Sequence, residues 1–272
     1  MLIEMKNESS GGNVLSEIKY SIYVKIVSMS VAKTPEISYM IGALQGDGCL
    51  TKYFVKERED RITLRHVIIL EAIDLEMVKK VKEIFERTFS RKRKIYKRSE
   101  GRFGFTFGVK TLLNEFKELD IDFKDPPKPP QWIKNRIDFF GPYLAGLIDA
   151  DGDVRIKRPK YPQCAIRITS GHPQKYLKEF VEKNLNCCAS ITEEKSFNKQ
   201  WMMWNHGFRL EFLVSSKNFE NVKQYILQYI QIPRKKLIIE RYLRKFDIGN
   251  TAKVAESGHA VWKNPSIMAC RY

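Results

Sequence analysis

A nine-residue segment occurs twice in this chain, and that repetition constrains the fold more than any other feature of the sequence. The two copies span residues 40–48 and 144–152. Asp47 and Asp151, which lie 104 positions apart (151 minus 47), are the only carboxylates that occupy the same place in both copies. The sequence therefore predicts two related halves that meet at a pair of acids.

The sequence around each copy repeats as well. Periodicity predicts the order helix, strand, strand, helix, strand, strand, helix in both halves. The apolar alternation of the last strand recurs at an offset of 105 (208 minus 103), as Phe103, Phe105, Phe107 and Val109 and then as Phe208, Leu210, Phe212 and Val214. We therefore predict an α+β fold of two pseudo-symmetric αββαββα repeats.

The domain boundaries follow from changes in composition along the 272 residues, which suffice for two halves of about a hundred residues. A Pro-rich stretch stiffens the chain between the halves. The predicted segments are an N-terminal extension at 1–34, a first half at 35–124, a linker at 125–132, a second half at 133–248 and a C-terminal tail at 249–272.

The net charge of +16 predicts an extended polyanion as partner, and nucleic acid is the best candidate. No apolar run approaches the roughly 20 residues that span a bilayer, so no membrane partner is expected. The five cysteines show no C-x-x-C spacing, which disfavours a disulfide framework or a zinc site and favours an intracellular protein.

Small residues in the repeated segment predict that its two helices pack closely together. Gly42 and Gly46 lie four residues apart on one helical face, and Gly146 and Ala150 take the same places in the second copy. Such packing would bring the two repeated acids together, where they raise each other's pKa unless a cation lies between them. Oxygen ligands with open water positions suit Mg²⁺ or Mn²⁺, so the pair predicts metal-assisted phosphodiester hydrolysis.

Two further acids near the second copy have no counterpart in the first. Asp149 is matched by Gln45, and Asp153 is matched by no acid, so we assign both to structural or DNA-proximal roles. Their spacing imitates part of a calcium-binding EF-hand loop. Val154 stands where such a loop requires glycine and Lys160 where it requires glutamate, which excludes that reading.

These residues resemble one known family, the LAGLIDADG homing endonucleases, whose name is spelled by the letters of residues 144–152. The first copy keeps Gly42, Asp47 and Gly48, and the resemblance covers residues 35–246. It implies a monomer with pseudo-two-fold symmetry, with the motif helices packed at the centre. Its antiparallel sheets would form a saddle along the major groove of double-stranded DNA.

The resemblance also implies site residues. Asp47 and Asp151 would bind divalent metal together with backbone oxygens of Gly46 and Ala150, and would activate water against each DNA strand. A supporting lysine is expected in each half.

The best matches for those lysines are Lys128 and Lys235, offset by 107 (235 minus 128), with Lys236 as a rival to Lys235. Lys110 and Lys217, at the ends of the fourth strands, are predicted DNA contacts instead. Further candidate contacts alternate along the strands and are Arg61, Thr63, Arg65, Arg155, Lys157, Arg167 and Thr169.

Together these features predict an intron-encoded, site-specific DNA endonuclease that uses Mg²⁺, with Mn²⁺ as a substitute. It would cut each strand once across the minor groove and leave short 3′ overhangs. Because the halves have diverged, a long asymmetric target is expected. An RNA maturase that binds its intron and a non-cleaving DNA-binding regulator are the alternatives on the same scaffold.

Overall fold

The computed structural model describes residues 31–58, 61–108, 112–121, 128–158, 160–198 and 202–256. These residues belong to the compact unit that begins at Val31. The residues outside this description include Val109, Lys110, residues 1–30 of the predicted extension, residues 125–127 of the predicted linker and residues 257–272 of the tail.

The described residues up to Lys134 form four helices and four strands. The helices are α1 (Pro35–Asp47), α2 (Leu75–Phe89), α3 (Leu113–Glu118) and a short α4 (Gln131–Lys134). The strands are β1 (Gly48–Arg58), β2 (Arg61–Ala72), β3 (Tyr96–Lys97) and β4 (Phe103–Gly108). They form an antiparallel sheet in the order β1-β2-β4-β3.

The second half repeats this plan. Its helices are α5 (Ile137–Asp151), α6 (Lys175–Leu185), α7 (Phe219–Asn221, continued by the π-helical turn Val222–Leu227) and α8 (Pro233–Glu256). Its strands are β5 (Gly152–Lys157), β6 (Gln163–Ser170), β7 (Ala189–Asn198) and β8 (Met203–Val214), in the order β5-β6-β8-β7. The predicted α+β class with two four-stranded antiparallel sheets is confirmed.

The start of α1 follows from local chemistry. The Thr34 hydroxyl accepts a hydrogen bond from the Ile37 amide at 3.3 Å, and Pro35 occupies the first helical position, where no amide hydrogen is needed. These two residues explain why α1 begins at Pro35.

Three elements have other bounds than the sequence pattern predicts. Periodicity predicts a strand at 92–97, but β3 covers only Tyr96–Lys97, because the Arg93 amide donates to the Glu86 side chain on α2 rather than to a strand. The pair Gly141-Pro142 predicts a motif helix that starts after it, but α5 begins at Ile137 and contains Pro142. Periodicity predicts a last helix at 234–246, but α8 continues to Glu256.

The two motif helices α1 and α5 pack with their backbones in contact. A β-carbon built on Gly42 would overlap the carbonyl oxygen of Tyr143, and one built on Gly146 would overlap that of Tyr39. The four positions are related by the same offset of 104 (146 minus 42, and 143 minus 39). The helices therefore meet around a pseudo-two-fold axis, and only glycine fits at these two crossing points.

The same axis relates two buried tyrosine hydrogen bonds. Tyr39 on α1 donates its hydroxyl to Asp149 on α5 at 2.8 Å, and Tyr143 on α5 donates to Gln45 on α1 at 2.7 Å. Each tyrosine thus reaches the last turn of the opposite helix. These reciprocal bonds fix the relative position of the two helix ends.

Each sheet presents one face to the core and the other away from it. On β2, Ile68 and Leu70 are fully buried, so alternation places Arg65 on the opposite face. On β6, Ile166 and Ile168 lie in the core, and Arg167 lies on the opposite face.

No helix among the described residues is both long and apolar enough to cross a membrane.

We predict that Gly146→Ala lowers the free energy of unfolding by about 1–3 kcal/mol, because the new methyl group would overlap the Tyr39 carbonyl. An alanine free of such overlap would instead stabilise a helix. The measurement is urea unfolding followed by circular dichroism. Gly171→Ala is the control, since its β-carbon would meet no atom within 4 Å, and equal effects of both variants would contradict the packing argument.

Candidate active site and nucleic-acid interface

The two repeated acids are the last residues of the two motif helices. Asp47 ends α1 and Asp151 ends α5, and each is followed by an extended glycine that begins a strand. A β-carbon built on Gly46 would overlap that of Ala150 and lie 3.3 Å from the Asp151 carboxylate. The small residues at the helix crossing therefore allow the two acids to converge, as the sequence predicts.

Burial makes both carboxylates hard to ionise. Burial raises the pKa of Asp47 to about 6, and repulsion by Asp151 adds to the rise. Burial also raises the pKa of Asp151. The positive charge of Lys235 opposes both shifts, and that of Arg102 opposes the shift of Asp47.

The surroundings of this acid pair favour a cation. Both acids lie at helix C-termini, where the helix dipole adds partial negative charge to the carboxylates. Among the described residues, no cluster of three or more His, Cys, Asp or Glu side chains could hold a metal. Two carboxylates with neighbouring backbone oxygens fit Mg²⁺, which usually keeps waters and takes substrate phosphate oxygens as further ligands.

Lys235 is the buried cation of the site, with only 3% of its surface exposed. Its ammonium donates hydrogen bonds of 2.7 Å to the carbonyl oxygens of Ile148 and Asp149, in the last turn of α5. A cation in this place neutralises the negative end of the helix. Burial lowers the pKa of Lys235, and the nearby acids oppose that shift, Asp149 most strongly.

Lys128 does not occupy the equivalent place in the first half. Its side chain is exposed, and its backbone carbonyl accepts a 3.1 Å hydrogen bond from Gln45. In the second half, the backbone amides of Gln231 and Ile232 bind Asp149, which is the residue that matches Gln45. Lys128 therefore corresponds to residues 231–232 of the second half and not to Lys235.

Asp149 is a buried structural acid, with 2% of its surface exposed. Its carboxylate accepts hydrogen bonds from the Tyr39 hydroxyl at 2.8 Å and from the amides of Gln231 at 2.7 Å and Ile232 at 3.4 Å. Burial raises its pKa to about 6 although these donors act in the opposite direction. Asp153 lies on the strand β5, where it forms an ion pair with Arg167.

Sequence reasoning missed two groups near the acids. Arg102 directly precedes β4, and its match in the second half at an offset of 105 is Gly207, so the comparison of copies could not reveal it. Asp74 is the N-cap residue of α2 but does not cap its own helix. Its carboxylate instead accepts hydrogen bonds of 2.7 and 3.4 Å from Arg234, which joins the first half to the start of α8 beside Lys235.

The predicted strand contacts share the faces that point away from the core. Arg61, Thr63 and Arg65 alternate with the inward residues of β2, and Thr169 is exposed on β6. The outward side chains of β5 and β6 include Arg155, Lys157 and Arg167. Lys217 is exposed in the turn after β8, and Lys110 lies outside the described residues. Register thus places the described strand candidates on two outward sheet faces.

We predict that Asp47→Asn stabilises the metal-free protein above pH 6. The folded carboxyl, with a pKa of about 6, holds its proton more tightly than an unfolded one, so the unfolding free energy of the parent falls as pH rises from about 4 to 6. The unfolding free energy of the variant does not fall in this way, so at pH 7.5 it should exceed that of the parent by on the order of 1–3 kcal/mol. The gain should shrink as pH falls below about 6 and vanish only below about pH 3, where the carboxyl is protonated in both states.

Urea unfolding in the presence of a chelator at several pH values provides the measurement. Glu179→Gln, which neutralises an exposed acid on α6, is the control and should change stability little. A destabilising effect of Asp47→Asn at pH 7.5 would contradict the raised pKa that burial and repulsion by Asp151 give to Asp47.

The fold of this chain is similar to those of solved protein structures. No protein-family profile and no curated protein sequence matches the chain. The LAGLIDADG homing endonuclease I-LtrWI bound to target DNA matches with a TM-score of 0.51 and 16% identity, over 81% of this chain and 92% of that one. The LAGLIDADG homing endonuclease I-SmaMI bound to cleaved DNA matches with a TM-score of 0.51 and 14% identity, over 83% and 92%. The chain therefore has the fold of the LAGLIDADG homing endonucleases, as its repeated segment predicts.

Proposed function

We propose that this protein is an intron-encoded, site-specific endonuclease that cuts double-stranded DNA with the help of Mg²⁺ or Mn²⁺. It acts as a monomer on a long asymmetric target, hydrolyses one phosphodiester bond in each strand across the minor groove, and leaves short 3′ overhangs. The observation that carries the proposal is the convergence of Asp47 and Asp151 at the ends of two packed helices. The DNA complexes solved for I-LtrWI and I-SmaMI support it.

In this proposal the acids hold the cation, together with the backbone oxygens of Gly46 and Ala150. A divalent cation bound there would supply Lewis acidity and lower the pKa of a coordinated water. Asp47 and Asp151 must be ionised to bind it, so cleavage should decline as pH falls below about 6. Lys235 adds a fixed positive charge beside the reacting phosphates.

The sheets position the substrate in this proposal. The outward faces of both sheets present arginine, lysine and threonine side chains, which suit base edges and phosphates in a major groove. The two halves carry different side chains at matched places, which is why an asymmetric target is expected. Positioning both strands over one acid pair allows a staggered double-strand cut.

The proposal is tested by selection of cleavable sites from a randomised duplex library. The purified full-length chain is incubated with the library in Mg²⁺, in Mn²⁺ or in a chelator, and cut ends are captured and sequenced. We expect one family of long sites, cut in both strands with 3′ overhangs, in either metal and none in the chelator. A library left uncut in both metals would contradict the nuclease assignment.

We predict that Asp47→Asn and Asp151→Asn each abolish double-strand cutting of the selected site, because each removes one of the two carboxylates that hold the metal. Binding of the uncut site should change by less than about tenfold, since the recognition faces stay intact. Cleavage is measured on a supercoiled plasmid, and binding by fluorescence anisotropy. Asp138→Asn, at the opposite end of α5, is the control.

Retained double-strand cutting by either aspartate variant would contradict its assigned role. Loss of cutting by the Asp138→Asn control would point instead to a general effect on α5.

We predict that Lys235→Met lowers the single-turnover cleavage rate at least about tenfold, since it removes a buried positive charge beside the acids. Lys236→Met, one residue further along α8, should change the rate less than about threefold because its side chain is only partly buried. Affinity for the uncut site should stay similar in both variants. A larger effect of Lys236→Met would reverse the assignment between the two lysines.

A further inference from the structure

The outward face of the second sheet carries its cations in pairs with acids of neighbouring strands. Arg167 on β6 pairs with Asp153 on β5, directly across the ladder. Arg209 on β8 pairs with Glu194 on β7. These contacts lie on the face that the proposed function assigns to DNA.

Glu211 is the centre of this arrangement. It lies on β8 opposite Arg167, forms an ion pair with Lys157, and has the guanidinium of Arg155 at 4.0 Å. Only 14% of its side chain is exposed. One of its oxygens, Oε2, is buried and receives no hydrogen bond from the protein. A carboxylate in this state attracts the cations around it strongly.

A paired cation binds phosphate less well than an isolated one. Non-specific affinity for DNA comes from cations that neutralise phosphates and release counterions. Lys157 and Arg155 would have to leave Glu211 to do so, and that carboxylate would then face a phosphate of the same charge. Only a base sequence that offers additional contacts can offset this cost.

From this geometry we infer that Glu211 is a specificity-determining residue of the second half. It holds Lys157 and Arg155 and thereby suppresses binding to DNA of arbitrary sequence, while the correct target supplies base contacts that replace the ion pairs. This inference rests on the proposed DNA-binding function. It makes Glu211 a positioning residue that acts through two cations and not through the acid pair.

The test measures non-specific binding, so it does not require a known target. Binding of a 30-base-pair duplex of scrambled sequence is followed by fluorescence anisotropy between about 50 and 300 mM salt. Glu211→Gln should bind roughly fivefold to tenfold more tightly at 100 mM salt, and the slope of log affinity against log salt should steepen by about 1 to 2. Glu179→Gln is the matched control, since it adds the same net charge on α6, away from this face.

A double variant tests whether the released lysine causes the steeper salt dependence. Lys157→Met combined with Glu211→Gln should bring the slope back toward that of the parent, because the released cation is removed. A general structural effect of Glu211→Gln would not be reversed in this way. Asp153→Asn, which frees Arg167 instead, should steepen the slope in the same direction and covers the case in which Glu211→Gln folds poorly.

Two results would overturn the inference: equal slopes for Glu211→Gln and Glu179→Gln, or weaker binding by both Glu211→Gln and Asp153→Asn. A parent protein that binds no duplex at any salt concentration would overturn the proposed function itself. Once a target is selected, the ratio of specific to non-specific affinity should fall at least about fivefold in Glu211→Gln.

Discussion

The contact between the backbones of α1 and α5 positions the acid pair and the strands that follow the two helices. Helices with ordinary side chains between them pack with axes about 8–10 Å apart. Here Gly42 and Gly146 each lie against a carbonyl of the opposite helix, so the axes approach more closely. The strands β1 and β5, which directly follow these two helices, therefore start close together, and each is the first strand of its sheet. The acid pair and the two sheets are consequences of this one contact.

Gln45 and Asp149 occupy matched positions but differ because different backbone groups lie opposite them. Gln45 faces the carbonyl of Lys128 and donates its amide hydrogen to it. The next two residues there are Pro129 and Pro130, which have no backbone N–H to offer. In the second half the corresponding segment presents two amides, and a carboxylate accepts both. The Gln45 amide thus suits a backbone carbonyl, and the Asp149 carboxylate suits two backbone amides. Each side chain also accepts a hydrogen bond from the tyrosine hydroxyl of the opposite helix.

Duplication made the centre of the molecule predictable from sequence. Asp47 and Asp151, the close helix packing and the outward face of β2 all follow from comparing the copies or from strand alternation. The predicted match of Lys128 with Lys235 was wrong, because Lys128 lies beside Gln45, where the second half places residues 231–232 beside Asp149. Glu211 could not be identified, since its partners come from another strand and cross-strand register is not encoded locally. The contact of Asp74 with Arg234 was not predicted either, because an N-cap residue is expected to bind the amides of its own helix.

Charge at the centre of the molecule has the opposite sign to the charge of the whole. The chain carries a net charge of +16 and attracts a polyanion, yet its pseudo-symmetry axis ends in two carboxylates at two helix C-termini. A phosphate brought to that point meets repulsion from both acids. Lys235 and Arg102 carry two positive charges, which do not balance two carboxylates and a phosphate, and Lys235 already donates to two carbonyl groups of α5. A divalent cation would supply the positive charge that the site lacks, and the pKa of Asp47, raised by burial and by repulsion from Asp151, agrees with that lack.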